Sequence, residues 1–568
     1  MKTYLPFSLT CLLTCLTAGA TEVPLRPAAD LIVHHAKIWT VDPSHPQASG
    51  IAILGERIVA VGSDKEVMAW KGPRTQVVDA KGQRLLPGFN DAHVHFSGGG
   101  AALAAVQLND VTSATEFVRR VAEKAKELAP GQWMRQGEWD ETKWSPAEFP
   151  TRQMIDAVTP DNPVSLERYD GHMVLANTQA LKLAGITAAT ADPPGGVIVR
   201  DNRGEPTGAL KDAAMGLLER IIPAPRPSER RQIAERALHE AASLGVTSVQ
   251  DMADDYEDIS VYAQLRDEGL LTTRLYAAPP IARVEDQAHI GLRHAFGDSL
   301  LRVGAVKGFA DGSLGSRTAY FFEGFTDDPS GHGLLSEDLQ PISRMQGFME
   351  RADSAGLQIC THAIGDRGIS TILDLYQSLL TTHGPADRRW RIEHAQHMAE
   401  KDFDRFRELG VIASVQPYHA IDDGRWAESR IGHDRASRTY AFRTFLNHGV
   451  RLAFGTDWPV APLNPMLGLY AATTRATLDG RNPNGWFPEQ KLTIQEAIEL
   501  YTMGSAYAEF QEQVKGSITV GKLADFILLS EDLLSLPAQE IPKVKVLKTW
   551  VGGRLVYDRD RAPKTTKP

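Results

Sequence analysis

Eight short apolar runs, each giving way to polar loop residues, recur between Leu85 and Phe454. They are Leu85 to His95, Val246 to Gln250, Arg274 to Ala278, Leu301 to Phe309, Gln358 to Thr361, Arg391 to Glu393, Val411 to Val415 and Arg451 to Phe454. Stretches with helical spacing separate most of them, at Ser228 to Leu244, Tyr256 to Glu268, Ile342 to Ala355, Ile369 to Leu380 and Lys401 to Leu409. Thr493, with Glu496 three residues on, opens a final helix through a capping box. This alternation predicts an α/β chain whose strands close into a (β/α)8 TIM-type barrel rather than an open sheet.

The flanks follow another pattern. Leu31 to Val33, Ile38 to Val41, Gly50 to Leu54, Ile58 to Val61 and Val77-Val78 are β-rich runs punctuated by Gly55-Glu56 and Gly62-Ser63. The same texture returns at Gly516 to Ile518, Ala524 to Leu529, Val544 to Val551 and Leu555 to Tyr557. Two half-sets of strands predict one β-sandwich built from both termini, residues 21–84 and 513–568, around a barrel at 85–512. Separate units at each end would be marginal alone.

Residues 97–227, between the first and second barrel strands, are too many for one loop. Ser113 with Glu116 starts a helix there, and Trp133 to Gly137 and Val164 to Arg168 read as strands. We expect an inserted α+β subdomain over the barrel mouth. Trp139, Trp144, Tyr169 and His172 are its candidates for facing a substrate, although the two tryptophans could equally fill the insert's own core.

Composition narrows the class. With 568 residues, 42% hydrophobic and 23% charged, the chain is that of a soluble protein of more than one domain. A net charge of −10 and the lack of a basic cluster exclude nucleic acid as the expected partner. Lys2, the apolar stretch Tyr4 to Leu16 and Ala18-Gly19-Ala20 predict an export signal over residues 1–20, and so a periplasmic or secreted protein without stable membrane insertion. Cys15 as a lipoprotein acylation site is the alternative, but Leu13-Thr14 before it fits poorly. Cleavage after Ala20 removes Cys11 and Cys15 and leaves Cys360, so no disulfide can form within the mature chain.

The chemistry sits at the strand ends, where a barrel of this kind carries its active site. His93 and His95 follow the first strand, two residues apart and so on one side of it. Asp91 lies one step further back on that face. Lys307 lies in the fourth strand, His362 after the fifth, His394 after the sixth and Asp457 after the eighth. Each alone has an ordinary explanation: several of 17 histidines will be structural, and Lys307 could pair with Asp311. Together on one rim they predict a metal site. Arg317 is a further candidate for gripping a substrate carboxylate or carbonyl, with a structural ion pair as the competing role.

Five segments then resemble a known family: Phe89-Asn90-Asp91-Ala92-His93-Val94-His95, Val306-Lys307-Gly308-Phe309-Ala310-Asp311-Gly312, Thr361-His362-Ala363-Ile364-Gly365-Asp366, Arg391-Ile392-Glu393-His394 and Gly455-Thr456-Asp457. In this order they are similar to the amidohydrolase superfamily, and in particular to its family 3 branch of N-substituted formamide deformylase-like hydrolases. The resemblance implies that His93, His95 and Asp457 hold one divalent ion and His362 and His394 a second. A carboxylated Lys307 would bridge the two. A protonated ammonium cannot bind a cation, but a buried amine of lowered pKa can add carbon dioxide and become an anion. A single ion with Lys307 left as an amine is the alternative. Zinc is the expected metal, with manganese, iron or cobalt as substitutes.

The function expected is hydrolysis of a non-peptide carbon–nitrogen bond of a small molecule by a metal-activated water, with Asp457 as proton shuttle. His172, Arg317 and Trp139 are the expected substrate contacts, and a homodimer is one option for the assembly. Deamination, or opening of a cyclic amide or lactone, is the alternative on the same machinery. A non-catalytic binding protein fits less well, since no ligand position is missing.

Overall fold

The structure is a computed structural model, and it describes residues 27–252, 255–294 and 296–561. The export segment expected at residues 1–20 lies outside these. Among the described residues, no helix is long and apolar enough to cross a membrane.

Two parallel sheets dominate the middle of the chain. In the first, β1 (Phe89–Val94), β2 (Val246–Met252) and β3 (Arg274–Ala278) lie side by side, followed by Leu301–Val303 and a short antiparallel edge at Phe296–Gly297. In the second, β4 (Ala305–Phe309), β5 (Gln358–Ala363), β6 (Arg391–His394), β7 (Ile412–Val415) and β8 (Leu452–Phe454) are parallel and in chain order. Parallel bridges link the two, Val94 with Trp458 and Pro280 with Lys307. The Asp457 amide donates to the His93 carbonyl and the His95 amide to the Trp458 carbonyl, both at 2.7 Å, and the Lys307 amide donates to the Pro279 carbonyl at 2.9 Å. These strands are buried on both faces, including polar residues such as Thr247, Gln250, Arg391 and Glu393.

Two of the apolar runs are divided. Leu85 to His95 splits at Gly88, with Arg84–Pro87 pairing in a flanking sheet and Phe89–Val94 in the parallel one. Leu301 to Phe309 splits at Gly304, so that its first half pairs with β3 and its second with β5. Gly304 has φ +155°, and a Cβ there would lie 2.1 Å from the Arg293 carbonyl oxygen. Only glycine fits this turn between the sheets, three residues before Lys307.

Helices pack outside the strands close to where their spacing places them: Pro227–Ser243, Tyr256–Asp267, Ile342–Ala355, Asp366–His383 and Asp402–Glu408. The Thr493–Glu496 capping box forms as expected. Helices Pro417–Asp423, Ala427–Ser437 and Phe442–Asn447, between β7 and β8, are additions to the sequence reading.

The flanks join. A six-stranded sheet runs in the order Arg554–Asp558, Val546–Val551, Phe526–Leu529, Arg84–Pro87, Lys37–Trp39 and Gln47–Ala48, mixing strands from both ends of the chain. A four-stranded sheet from the N-terminal side shares one apolar cluster with it, including Val33, Ile51, Leu85, Phe526 and Trp550.

The insert carries its own five-stranded sheet and its own core, in which Phe117, Val121, Trp139, Trp144 and Leu166 meet. Trp139 is fully buried there and its indole N–H donates to the Leu166 carbonyl at 2.8 Å. The substrate contact expected of Trp139 is therefore corrected: its ring and its one polar atom are both used inside the insert.

Gly304→Ala should lower stability by at least about 1 kcal/mol, because the added methyl meets backbone and the φ suits only glycine. Thermal unfolding of both proteins checks this, and an unchanged midpoint would contradict the tight turn.

Candidate metal centre

The ends of β1, β4, β5, β6 and β8 converge on a cavity of about 280 Å³. His95, Lys307, His362, His394 and Asp457 line it, while His93 lies fully buried directly beneath. Asp457 is central. Its Oδ1 is 3.3 Å from His93 Nε2 and 3.4 Å from His95 Nε2, and its Oδ2 is 3.9 Å from His394 Nδ1 and 4.0 Å from His419 Nε2. Lys307 Nζ lies 3.3 Å from His93 Nε2. His93, His95 and Asp457 form one group with metal-ligand spacing, and His394, His419 and Asp457 form another.

The backbone pays attention to these positions in an unusual way. His394 has φ 71° and Asp457 φ 63°, both in the left-handed region that side chains with a Cβ seldom occupy. Asp457 is braced from β1. Asp91 accepts hydrogen bonds from the Thr456 amide at 2.9 Å and hydroxyl at 2.6 Å, and from the His93 amide at 3.1 Å. A Cβ on Gly455 would lie 2.6 Å from the His93 nitrogen, so β8 can press its end against β1 only with glycine there. Asp91 thus positions the loop and does not face the ligand groups.

Proton placement follows from the partners. His93 Nδ1 is 2.6 Å from Glu393 Oε2, and Arg391 pairs with the same carboxylate at 2.8 Å. Burial raises the Glu393 carboxyl, but Arg391 and His93 outweigh it and bring it down to about 2. An ionised Glu393 accepts from Nδ1–H, leaving the Nε2 lone pair of His93 turned to Asp457 and Lys307. Gln416 Oε1, 2.9 Å from His394 Nδ1, does the same for His394. His362 Nε2 faces the Gly312 carbonyl at 3.2 Å, which makes Nδ1 its lone-pair nitrogen. Burial pushes His95, His362 and His394 below the ordinary histidine range, so they are neutral. Burial also lowers the Lys307 amine, against the charges of Glu393 and Asp457.

This donor set fits a divalent cation. Asp457 Oδ1 and His419 Nε2 are buried and have no hydrogen-bond partner among the described residues. Buried orphan donors or acceptors are costly unless something else engages them. A carboxylate ringed by neutral imidazoles offers lone pairs to a metal and little else.

Of the other expected site residues, His172 lines the cavity, its ring 5.1 Å from that of His362 and its Nδ1 2.7 Å from Asp212. Arg317 does not line it. Its guanidinium donates to Asp327 at 2.7 Å, so the substrate contact is corrected to the structural ion pair. Asp311 accepts from the Tyr320, Ile364 and Gly365 amides and is no partner of Lys307. His419 and Glu393 were not singled out from sequence. Glu393 sits inside the Arg391-Ile392-Glu393-His394 segment, so its signal was within reach, whereas His419 lies in helix Pro417–Asp423 beyond the end of β7.

Comparison with known proteins agrees with this geometry. The profile of the amidohydrolase family matches residues 76–557. The Arabidopsis thaliana protein LONG AFTER FAR-RED 3 is 37% identical, over 95% of this chain and 94% of its own. The N-substituted formamide deformylase of Arthrobacter pascens is 28% identical, over 93% and 98%. A crystal structure of an uncharacterized metal-dependent hydrolase from Pyrococcus horikoshii OT3 superposes with a TM-score of 0.73 at 28% identity, over 90% of this chain and 99% of that one.

Glu393→Gln removes the charge that holds the His93 tautomer. Zinc affinity, measured by competition with a chelating dye, should fall about 10- to 100-fold. Wild-type affinity in a folded Glu393→Gln protein would show that His93 is not oriented this way.

Proposed function

Because the chain belongs to the amidohydrolase family, we propose that it is a metal-dependent hydrolase that cleaves a non-peptide carbon–nitrogen bond, of the amide type, in a small molecule. The observation that carries this is the buried, unpartnered Asp457 oxygen set 3.3 Å and 3.4 Å from two histidine nitrogens beside a cavity at the strand ends. The similarity to a formamide deformylase along nearly the whole chain supports the choice of an amide over an ester. The two bridges between the parallel sheets support reading their strands as one (β/α)8 barrel. The sandwich at 21–84 and 513–568, the insert at 97–227 and export through residues 1–20 belong to the same proposal and rest on sequence.

We assign His93, His95 and Asp457 to one ion and His362 and His394 to a second, with a carboxylated Lys307 joining them. Zinc is the metal proposed. Ions held there would supply the chemistry that acidifies a water and polarises a substrate carbonyl. Asp457 takes the water's proton on a carboxylate oxygen and delivers it to the leaving nitrogen, which an amide requires because its amine leaves poorly unprotonated. His172, oriented by Asp212, faces the substrate carbonyl from the insert. The neutral state of Lys307 favoured by burial suits addition of carbon dioxide, with loss of one proton, to give the bridging carbamate. A second arrangement has His419 in place of His362, favoured by the grouping of His394, His419 and Asp457.

Asp457→Asn keeps the shape and one oxygen but loses the basic site, so kcat should fall at least about a hundredfold with little change in KM. Metal content is measured on the same sample. Near wild-type turnover with the ions retained would place the proton shuttle elsewhere. Metal analysis of wild type should give two ions per chain. His362→Ala should lose one of these and His419→Ala neither. The reverse result would support the second arrangement, and a single ion in wild type would remove the binuclear reading.

A further inference from the structure

A second cavity, of about 700 Å³, lies between the insert and helix Pro227–Ser243. Its wall is mixed: Ala105, Val106, Leu128, Trp133, Ile222 and Ile233 give it apolar surface, and charged and polar side chains line the rest. It adjoins the catalytic cavity, and Gly98 and Gln136 line both. The Gln136 amide donates to the Gly98 carbonyl at 3.2 Å, which joins the two shared lining residues between the cavities. That side chain is held by an unusual piece of backbone. Gln136 has φ 61° and Glu138, two residues on, φ 52°. Two left-handed non-glycine residues this close are a local strain that the surrounding structure must sustain, and such strain collects where a side chain has to be aimed.

We propose that this cavity is a second binding chamber that takes a linear apolar arm of the substrate, threaded past Gln136 while the reacting amide sits at the metal centre. The inference rests on the hydrolase reading and narrows its substrate class to amides bearing a long unbranched hydrocarbon substituent. A small polar amide would leave the chamber's apolar side chains facing water. An arm that enters it gains the transfer free energy of each methylene. The charged groups on the lining, Lys124, Arg135, Arg226 and Arg236 against Glu229, disfavour an arm that ends in a cation. Gln136 can release its Gly98 bond without losing hydrogen-bonding capacity, since a substrate amide offers the same partners.

The test is calorimetric titration of the metal-loaded full chain with straight-chain hydroxamic acids, from acetohydroxamic to dodecanohydroxamic acid. Hydroxamates chelate through the head group, and the chain probes the chamber. Affinity should rise about threefold to fourfold per methylene once the chain passes Gln136. Ala105→Trp fills the chamber, and Ala104→Trp does so from an exposed position that folding tolerates. In each, the ratio of long-chain to short-chain affinity should drop at least about tenfold, the worth of two methylenes or more. A ratio that stays within about twofold of wild type in both variants, or affinity independent of chain length in wild type, would overturn the proposal. Turnover of N-alkyl formamides by the same samples separates the two readings. Chain-dependent binding without turnover keeps the chamber and removes the amide hydrolase. Turnover with a flat affinity ratio removes the chamber alone.

Discussion

Glu393 is a fully buried, ionised carboxylate, and the catalytic end of the strands is arranged around that charge. An uncompensated charge there would cost several kcal/mol, so Arg391 and His93 must stay where they are. Arg391 in turn donates to the Ala92 carbonyl at 2.5 Å and the Ser414 hydroxyl at 2.9 Å, and also to the Gln250 side chain. One ion pair therefore ties β1, β2, β6 and β7 together, and it fixes which nitrogen of His93 is left for a metal. Stability and function depend on the same contact.

From this frame the remaining groups acquire their roles by position. Asp91 secures Thr456 and so delivers Asp457 across the junction of β1 and β8. The insert closes the cavity from the other side and presents Glu138, Glu167, Tyr169 and His172 to it. Burial pushes Glu138 up to about 7, with the Glu167 charge adding to the effect, so this wall is less acidic near neutrality than its composition suggests. The candidate metal ligands sit at strand ends, and the insert residues that line the cavity are carried by a separate sheet with its own core.

Much of this was legible in the chain because doubly buried parallel strands leave apolar runs and because ligand residues follow those runs directly. His93, His95, His362, His394 and Asp457 were found by that rule, Lys307 lies inside the fourth run and drew its role from the family resemblance, and the structure brings the six together. The rule could not show where a run changes sheet, as at Gly88 and Gly304, since the apolar pattern continues through both. It also could not rank aromatic residues. Trp139 and Trp144 look alike from sequence, and only their packing with Phe117 and Leu166 shows that both belong to the insert's core. Arg317 finds Asp327 ten residues on, a pairing that sequence allows but does not choose. His419 was missed because its ligand geometry arises from a helix, Pro417–Asp423, that carries no periodic signal of its own.

The central claim is that Asp457 and the surrounding histidines form a divalent metal centre. Anomalous diffraction from crystals grown with zinc, collected on either side of the zinc edge, tests it most directly. The account predicts one peak within about 2.0–2.2 Å of His93, His95 and Asp457, and a second beside His394 bridged through Lys307. No anomalous peak within reach of Asp457, in crystals that bind zinc elsewhere or not at all, would contradict it.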